Sequence, residues 1–191
     1  RLDVAVADGV AWMMSLYLDE YLATGDLPGP GHNILTGRYA CYGVYAAKDG
    51  YLAVGAIEPG FWANLCRLLG REDLIPLQTD DDRQDEVRAA LAEAFATRGR
   101  DEWTALFTDS DACVAPVLSL REAPHHPHLA ARGTFTDHGG ITQPAPAPRF
   151  SATPTAVRTG PARPGADAEA VARDWDLPRT PQPNSPAKNP Q

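Results

Sequence analysis

The sequence has fewer basic than acidic residues and few cysteines, and each shortage narrows the possible functions. Its 191 residues carry 17 Lys and Arg against 25 Asp and Glu, so the formal net charge is −8 at pH 7. An acidic chain does not attract nucleic acids or anionic membrane surfaces, and we expect neither as a partner. The three cysteines, Cys41, Cys66 and Cys113, have no paired spacing. They predict buried or reduced thiols in a cytoplasmic protein, without a disulfide scaffold or cysteine-based zinc site.

Long apolar runs and phosphate-binding motifs are also missing. The apolar stretch from Val4 to Leu18 is interrupted by Asp8 and Ser15, so it is too short and too polar to span a bilayer. No segment near the start has the pattern of a signal peptide. The glycine-rich loop at 25–37 lacks the GxxxxGK[ST] and GxGxxG spacings, so it predicts no phosphate-binding loop.

Proline divides the chain. Eleven of the 18 prolines fall in residues 143–191, which predicts a packed region before them and a Pro-rich extension after it. The sequence therefore predicts four segments: a strand and helix (1–24), a small α/β domain (25–142), a Pro-rich segment with one short helix (143–177) and a disordered tail (178–191).

Strand-like and helix-like patterns alternate, which favours a mixed α/β fold. An Asp-Gly pair between two apolar runs predicts a β-hairpin, and a proline suits the first turn of the following helix. All four tryptophans lie on apolar helix faces and are predicted to be core residues. The predicted elements are a strand Leu2–Ala7, a helix Asp8–Ala23, a hairpin of Tyr42–Tyr45 and Tyr51–Val54, a helix from Pro59, helices Arg83–Ala96 and Asp101–Phe107, a buried strand Cys113–Val117, a helical or irregular link 122–133 and a helix Ala166–Trp175.

Two carboxylates stand out, and each has two interpretations. Glu58 follows a predicted strand and directly precedes the predicted helix at Pro59. A carboxylate at such a junction can act as a base or orient another catalytic group, but it can also simply cap the helix. Asp8 likewise lies where a helix is predicted to begin. From the residues alone, the capping interpretation is favoured for both.

Two further groups have structural interpretations. His125, His126 and His128 form a cluster, but Pro124 and Pro127 prevent the helical spacing that metal ligands need. We expect a solvated or partner-facing loop there and no metal site. Cys113 lies in an apolar run with no nearby base, so packing is expected rather than nucleophilic chemistry.

An ordered series of motifs resembles the family III CoA-transferases (CaiB/BaiF), and within that family its α-methylacyl-CoA racemases. The likeness covers about residues 1–177 and rests on the order of the motifs rather than on any one of them. The motifs are Asp3-Val-Ala-Val-Ala-Asp8-Gly9, Asn33-Ile-Leu-Thr-Gly37, Tyr42-Gly-Val-Tyr45, Val54-Gly-Ala-Ile-Glu58-Pro59, Asp111-Ala-Cys113-Val-Ala-Pro116-Val117, His126-Pro-His128, Arg132-Gly133 and Pro146-Ala-Pro148-Arg149-Phe150.

This resemblance implies a specific role for the chain. Family members carry an N-terminal Rossmann-like half with the CoA site and the groups that exchange the α-proton or become acylated. The sequence, which starts at Arg1, is expected to begin after that half and to form the linker strand and helix plus the small domain. The family forms interlocked dimers, so a homodimer or the missing half is an expected partner.

Position by position, the resemblance assigns Glu58 as the carboxylate that supports the acid/base pair and Asp8 as a carboxylate near the acyl pocket. It assigns Leu35, Tyr42 and Ile57 to contacts with the acyl chain. The substrate is expected to be an acyl-CoA, with no other cofactor. Where the family has Gly-Gly-Ala-Pro, this sequence reads Gly37-Arg-Tyr-Ala40.

The expected function is that of a C-terminal fragment of a CoA-thioester enzyme, inactive by itself. The reaction is either exchange of the α-proton of an acyl-CoA or transfer of CoA between carboxylic acids. The alternative is a non-catalytic acyl-CoA-binding or dimerisation module, or one subunit of a split enzyme.

Overall fold

Helices and strands both occur in the computed structural model, which describes residues 3–27 and 29–177. The mixed α/β class is therefore confirmed. The chain divides into two units, Arg1–Val117 and Leu118–Gln191. The predicted disordered tail, 178–191, lies outside the described residues.

The first unit contains five helices and three strands in its described part, together with two short 3₁₀ segments at Glu72–Leu77 and Asp81–Arg83. In chain order the helices and strands are α1 (Val6–Met13), α2 (Ser15–Thr24), β1 (Tyr42–Ala46), β2 (Tyr51–Gly55), α3 (Pro59–Leu68), α4 (Gln84–Phe95), α5 (Arg100–Phe107) and β3 (Val114–Pro116).

The strand β2 is the centre of an antiparallel sheet with the order β1-β2-β3. On one edge it forms the predicted hairpin with β1, in which Tyr42 lies opposite Gly55. On the other edge it pairs with β3, where Val54 lies opposite Val114. Leu52 and Val54 are buried, so one face of β2 packs on the core.

Aromatic rings form the centre of the core. The Phe95 ring centroid lies 5.3 Å from that of Tyr45, 5.6 Å from that of Trp103 and 6.3 Å from that of Phe107. The Trp103 indole N–H donates a hydrogen bond to the Phe95 carbonyl at 2.8 Å. Because Phe95 ends α4 while Tyr45 lies on β1 and the other two rings on α5, this cluster joins both helices to the sheet.

The beginning of the chain differs from the sequence prediction. Residues 3–5 form no strand, and α1 already begins at Val6. The predicted single helix is two helices, since α1 ends at Met13 and α2 begins at Ser15. Short apolar runs suit a strand or a helix equally well, and here the helical pattern of residues 6–13 extends across the predicted boundary.

The tryptophan prediction is half right. Trp62 and Trp103 are core residues, 1% and 3% exposed. Trp12 on α1 and Trp175 are 81% and 77% exposed, so their assignment to the core is wrong. An apolar helix face indicates that a side chain can be buried, but burial also requires an element packed against it.

The strand at Cys113–Val117 is also corrected. The strand β3 is shorter, Val114–Pro116, and none of its three residues is fully buried. It lies at the edge of the sheet, where only one side of a strand has a hydrogen-bonding neighbour.

The second unit is built around a two-stranded antiparallel hairpin. Its described elements are a 3₁₀ turn (Ala123–His125), α6 (Pro127–Ala131), β4 (Phe135–His138), β5 (Ile141–Pro144) and α7 (Ala168–Asp174). Phe135 lies opposite Pro144 in the hairpin. The helix α7 is shorter than the predicted Ala166–Trp175, and none of its residues is buried.

Replacing Phe95 by Ala tests the aromatic cluster. We expect Phe95→Ala to lower the free energy of unfolding by about 3–5 kcal/mol, because it removes a fully buried ring and leaves a cavity. Urea denaturation followed by tryptophan fluorescence measures the change. The control is Phe150→Ala, since Phe150 is half exposed. Equal losses for the two variants would contradict the assignment of Phe95 as the centre of the core.

Candidate active site

Glu58 lies at the junction between β2 and α3. Its backbone is extended (φ −68°, ψ 137°), and the next residue, Pro59, is the first of α3. Its side chain is exposed and makes no hydrogen bond that caps the helix. The Glu58 carboxylate therefore does not cap α3 by a hydrogen bond. Its place before the helix still lets the positive end of the α3 dipole favour its charge.

The backbone on either side of this junction is held by hydrogen bonds. The Ala56 N–H donates to the Cys41 carbonyl at 2.9 Å. The side-chain amide of Gln78 donates to the carbonyls of Ala56 and Ile57 at 3.2 and 2.6 Å. Glu58 thus follows two residues whose backbone positions are fixed by other elements. The backbone that carries its carboxylate is therefore held in place.

A turn before β3 approaches the same junction. The Cys113 carbonyl accepts a hydrogen bond from the Gly55 N–H at 2.9 Å, and the Asn64 side chain donates to the Asp111 carbonyl at 3.1 Å. Cys113 has a left-handed backbone conformation with φ of 48°. That conformation is uncommon for a residue other than Gly, Asn or Asp. The turn is therefore joined both to β2 and to α3.

The Cys113 thiol is exposed, so the prediction that it is a packing residue is wrong. Partial desolvation raises the pKa of Cys113, and the negative charges of Glu58 and Asp111 raise it further. Cys113 and Glu58 are therefore electrostatic neighbours, although 55 positions separate them in the sequence. Cys41 and Cys66 are also free but buried, and burial raises the pKa of Cys66 to about 12.

Two of the three predicted acyl-contact residues lie at this end of the hairpin. Tyr42 is half-buried and begins β1 opposite Gly55, and its ring comes within 3.9 Å of the point where a Cβ on Gly55 would be. Ile57 is half-buried and directly precedes Glu58. The sheet register therefore brings Tyr42 to the strand end from which Ile57 and Glu58 continue.

Leu35 and Asp8 lie elsewhere in the chain. Leu35 is 48% exposed, in a turn where its N–H donates to the Asn33 side chain at 3.0 Å. Asp8 is exposed in the first turn of α1. Among residues 3–27 and 29–177, no hydrogen bond or ion pair joins either of them to Glu58. Their assigned contacts with the acyl group stay predictions.

Two glutamines that the sequence analysis did not select organise this region. Gln78 holds the residues before Glu58, as described above. Gln84, which is 6% exposed, accepts from the Ala40 N–H at 2.8 Å and donates to the Leu77 and Asp80 carbonyls at 3.0 and 2.8 Å. The sequence does not reveal the long-range contacts of either residue: the partners of Gln78 lie 21 and 22 positions away, and Ala40 lies 44 positions from Gln84.

The histidine cluster lies in the second unit. His125 and His128 are exposed and His126 is half-buried. Within the described ranges, no three residues of the His, Cys, Asp or Glu type are close enough to hold a metal ion. Among the same described residues, no helix is long and apolar enough to cross a membrane.

The chain belongs to CoA-transferase family III. The model of that family matches residues 1–168, most of the chain. The family resemblance that the motifs indicated is thereby confirmed.

Two curated relatives represent different reactions of this family. The chain is 38% identical over 157 residues to the α-methylacyl-CoA racemase of Mus musculus, a match that covers 80% of this chain and 41% of the mouse protein. It is 33% identical over 160 residues to an acyl-CoA transferase of Fusarium pseudograminearum, covering 70% of this chain and 35% of the fungal protein. The chain thus spans about two fifths of the length of these relatives.

A solved structure shows the same fold. The crystal structure of a CaiB/BaiF family protein from Brucella suis matches with a TM-score of 0.61 and 22% sequence identity. The match covers 85% of this chain and 44% of the Brucella protein.

Alkylation kinetics test the arrangement of Glu58 and Cys113. We expect iodoacetamide to modify one thiol rapidly in the native protein, Cys113, because Cys41 and Cys66 are buried. Glu58→Gln removes a negative charge that raises the Cys113 pKa, so the pH–rate profile should move to lower pH. The rate at neutral pH should rise, since the larger thiolate fraction outweighs the lower nucleophilicity of each thiolate.

Glu93→Gln is the matched control, because the charge of Glu93 is not among those that raise the Cys113 pKa. Mass spectrometry of the alkylated peptides identifies the site. An unchanged profile in Glu58→Gln, or the same change in Glu93→Gln, would contradict the placement of Glu58 beside Cys113.

Proposed function

We propose that this chain is the portion of a CoA-thioester enzyme that supplies a supporting carboxylate, Glu58, and part of the acyl pocket. The observation that carries the proposal is the state of Glu58. It is an exposed carboxylate, without a hydrogen bond or ion pair among the described residues, at the end of a firmly held backbone segment. A residue that capped its helix by a side-chain hydrogen bond would be bonded to that helix, and Glu58 is not.

The chemistry requires more than one such group. A thioester makes its α-proton acidic enough for a positioned base to remove, and the resulting enolate needs stabilisation before it is reprotonated. Exchange of configuration needs acid/base groups on both faces of the carbon. In this proposal Glu58 orients one of those acid/base groups or stabilises its charged form. That group belongs to the part of the family's enzymes that this chain does not span. The chain alone is therefore inactive.

Tyr42 and Ile57 provide the acyl-contacting surface in the proposal. Both are half-buried and lie at the strand end that leads to Glu58. Their aromatic and branched side chains suit an apolar acyl group, and CoA itself is the carrier rather than a bound cofactor. Leu35 and Asp8 would join this pocket when the assembly is complete. The three free thiols favour a reducing compartment such as the cytoplasm.

The helices α1 and α2 support the need for a further polypeptide surface. They have 8 and 10 residues, and neither contains a buried residue. Isolated helices shorter than about 12–15 residues are marginal in water, so their stability must come from packing. Large apolar side chains are exposed on both helices, among them Val6, Trp12, Met13, Leu16 and Leu22. We infer that another part of the complete enzyme, in the same or a second subunit, covers them.

A chimera tests the proposed reaction. Residues 1–168 of this chain replace the equivalent segment of the mouse racemase. The 191-residue chain alone should leave the α-proton of a 2-methylacyl-CoA unexchanged in deuterium oxide, and the chimera should exchange it. Exchange by the chain alone would refute the claim of inactivity. A chimera that instead transfers CoA between carboxylic acids would assign the transferase reaction, and a folded chimera with neither activity would favour the binding-module alternative.

Glu58→Gln in this chimera tests the carboxylate. We expect kcat to fall about 10²-fold with a much smaller change in KM, because an acid/base group loses its charged partner while the acyl pocket is intact. Glu93→Gln is the matched control and should retain activity. Full activity of the Glu58→Gln chimera would remove this residue from the mechanism and leave it a purely structural position.

Hydrogen exchange tests the covering of α1 and α2. In the 191-residue chain we expect their amides to exchange almost as fast as in an unfolded peptide, while those of α4 are protected, because α4 contains five buried residues. In the chimera, exchange in α1 and α2 should slow by about 100-fold or more. Equal protection of these two helices in both proteins would show that they need no further surface.

A further inference from the structure

A cleft in the second unit combines positive charge with apolar walls. It has a volume of about 590 Å³, and its polar lining includes His128, Arg132, Thr134 and Arg149. None of the described residues that line it is acidic. All of its lining residues belong to the second unit, Leu118–Gln191.

The local charge is opposite to that of the chain as a whole. Residues 123–166 contain four Arg and four His but a single acidic residue, Asp137, whereas the complete chain has a net charge of −8. In an acidic protein, such a segment is where an anionic ligand experiences the least repulsion.

The backbone beside the arginines is fixed. Gly133, two residues after the end of α6, has the left-handed conformation (φ 56°). The Gly133 and Thr134 N–H groups donate to the Ala130 and Leu129 carbonyls, each at 2.9 Å. This pair of bonds is the Schellman arrangement that terminates helices. The Ala145 N–H donates to the Thr134 carbonyl at 2.8 Å, which joins the two sides of the cleft.

The two guanidinium groups have spare donors at this turn. One N–H of the Arg149 guanidinium donates to the Gly133 carbonyl at 2.9 Å. The Arg132 guanidinium forms no hydrogen bond or ion pair within the described residues. A guanidinium carries five N–H donors in a planar fork that fits phosphate oxygens. Neither guanidinium has a carboxylate partner among the described residues, so the remaining N–H donors of both can bind one anion.

We propose that this cleft binds the phosphate groups of an organic phosphate of the nucleotide type. Arg132 and Arg149 bind the phosphate oxygens, the Thr134 hydroxyl and His128 add donors, and Pro146 and Pro148 provide an apolar wall for the rest of the molecule. The phosphate can come from CoA, which carries a nucleotide, or from a free nucleotide such as ATP. The proposal concerns binding only and does not depend on the role of Glu58.

Titration calorimetry on the 191-residue chain tests this site with CoA, ATP and adenosine as probes. We expect CoA or ATP to bind with a Kd below about 1 mM and adenosine, which has no phosphate, not to bind measurably. Tighter binding of CoA than of ATP assigns the site to CoA, and the reverse order assigns it to free nucleotides. The proposal would be overturned if neither CoA nor ATP bound, or if adenosine bound as tightly as they do.

Variants separate a specific site from general attraction. Arg132→Gln should weaken binding about tenfold or more, and Arg132→Lys, which keeps the charge but not the fork, should weaken it less. Arg149→Gln gives a second reading if its bond to Gly133 is not needed for folding, which circular dichroism checks. Arg158→Gln is the matched control, since it removes the same charge from the same segment outside the cleft. An equal loss in Arg158→Gln would overturn the proposal.

Discussion

Hydrogen bonding on both edges of β2 is the constraint on which the candidate site depends. The hairpin with β1 fixes one edge and β3 fixes the other, so the strand has no freedom to change register. A shift by one residue would move Leu52 and Val54 out of the core. The chain that leaves β2 therefore reaches Glu58 in a defined position, and Gln78 holds the last two residues before it.

The local elements of the first unit could be predicted because their signals are local. Asp49-Gly50 predicts the hairpin turn, and Pro59 predicts the start of α3, where the structure has it. The position of Glu58 at a strand-to-helix junction followed from these two signals. Burial at the ends of the chain could not be predicted in the same way. Trp12 and Trp175 have neighbours suited to a core, but no described element covers them.

The side-chain hydrogen bonds that hold the site could not be predicted from the sequence, for a different reason. Gln78 and Asn64 bind backbone carbonyls that lie 21 and 47 positions away in the sequence. Such bonds depend on the final path of the chain and leave no pattern in residue type or spacing. The exposure of Cys113 also depends on tertiary structure, because its left-handed backbone and its edge position follow from how β3 meets β2.

The central claim is that Glu58 serves an acid/base group supplied by the rest of a complete family III enzyme. A crystal structure of the chimera with a bound acyl-CoA tests it most directly. The account predicts that a Glu58 carboxylate oxygen lies within hydrogen-bond reach, about 2.6–3.2 Å, of a titratable side chain that itself contacts the α-carbon region. A Glu58 side chain that points into solvent, with no such group within reach, would contradict it.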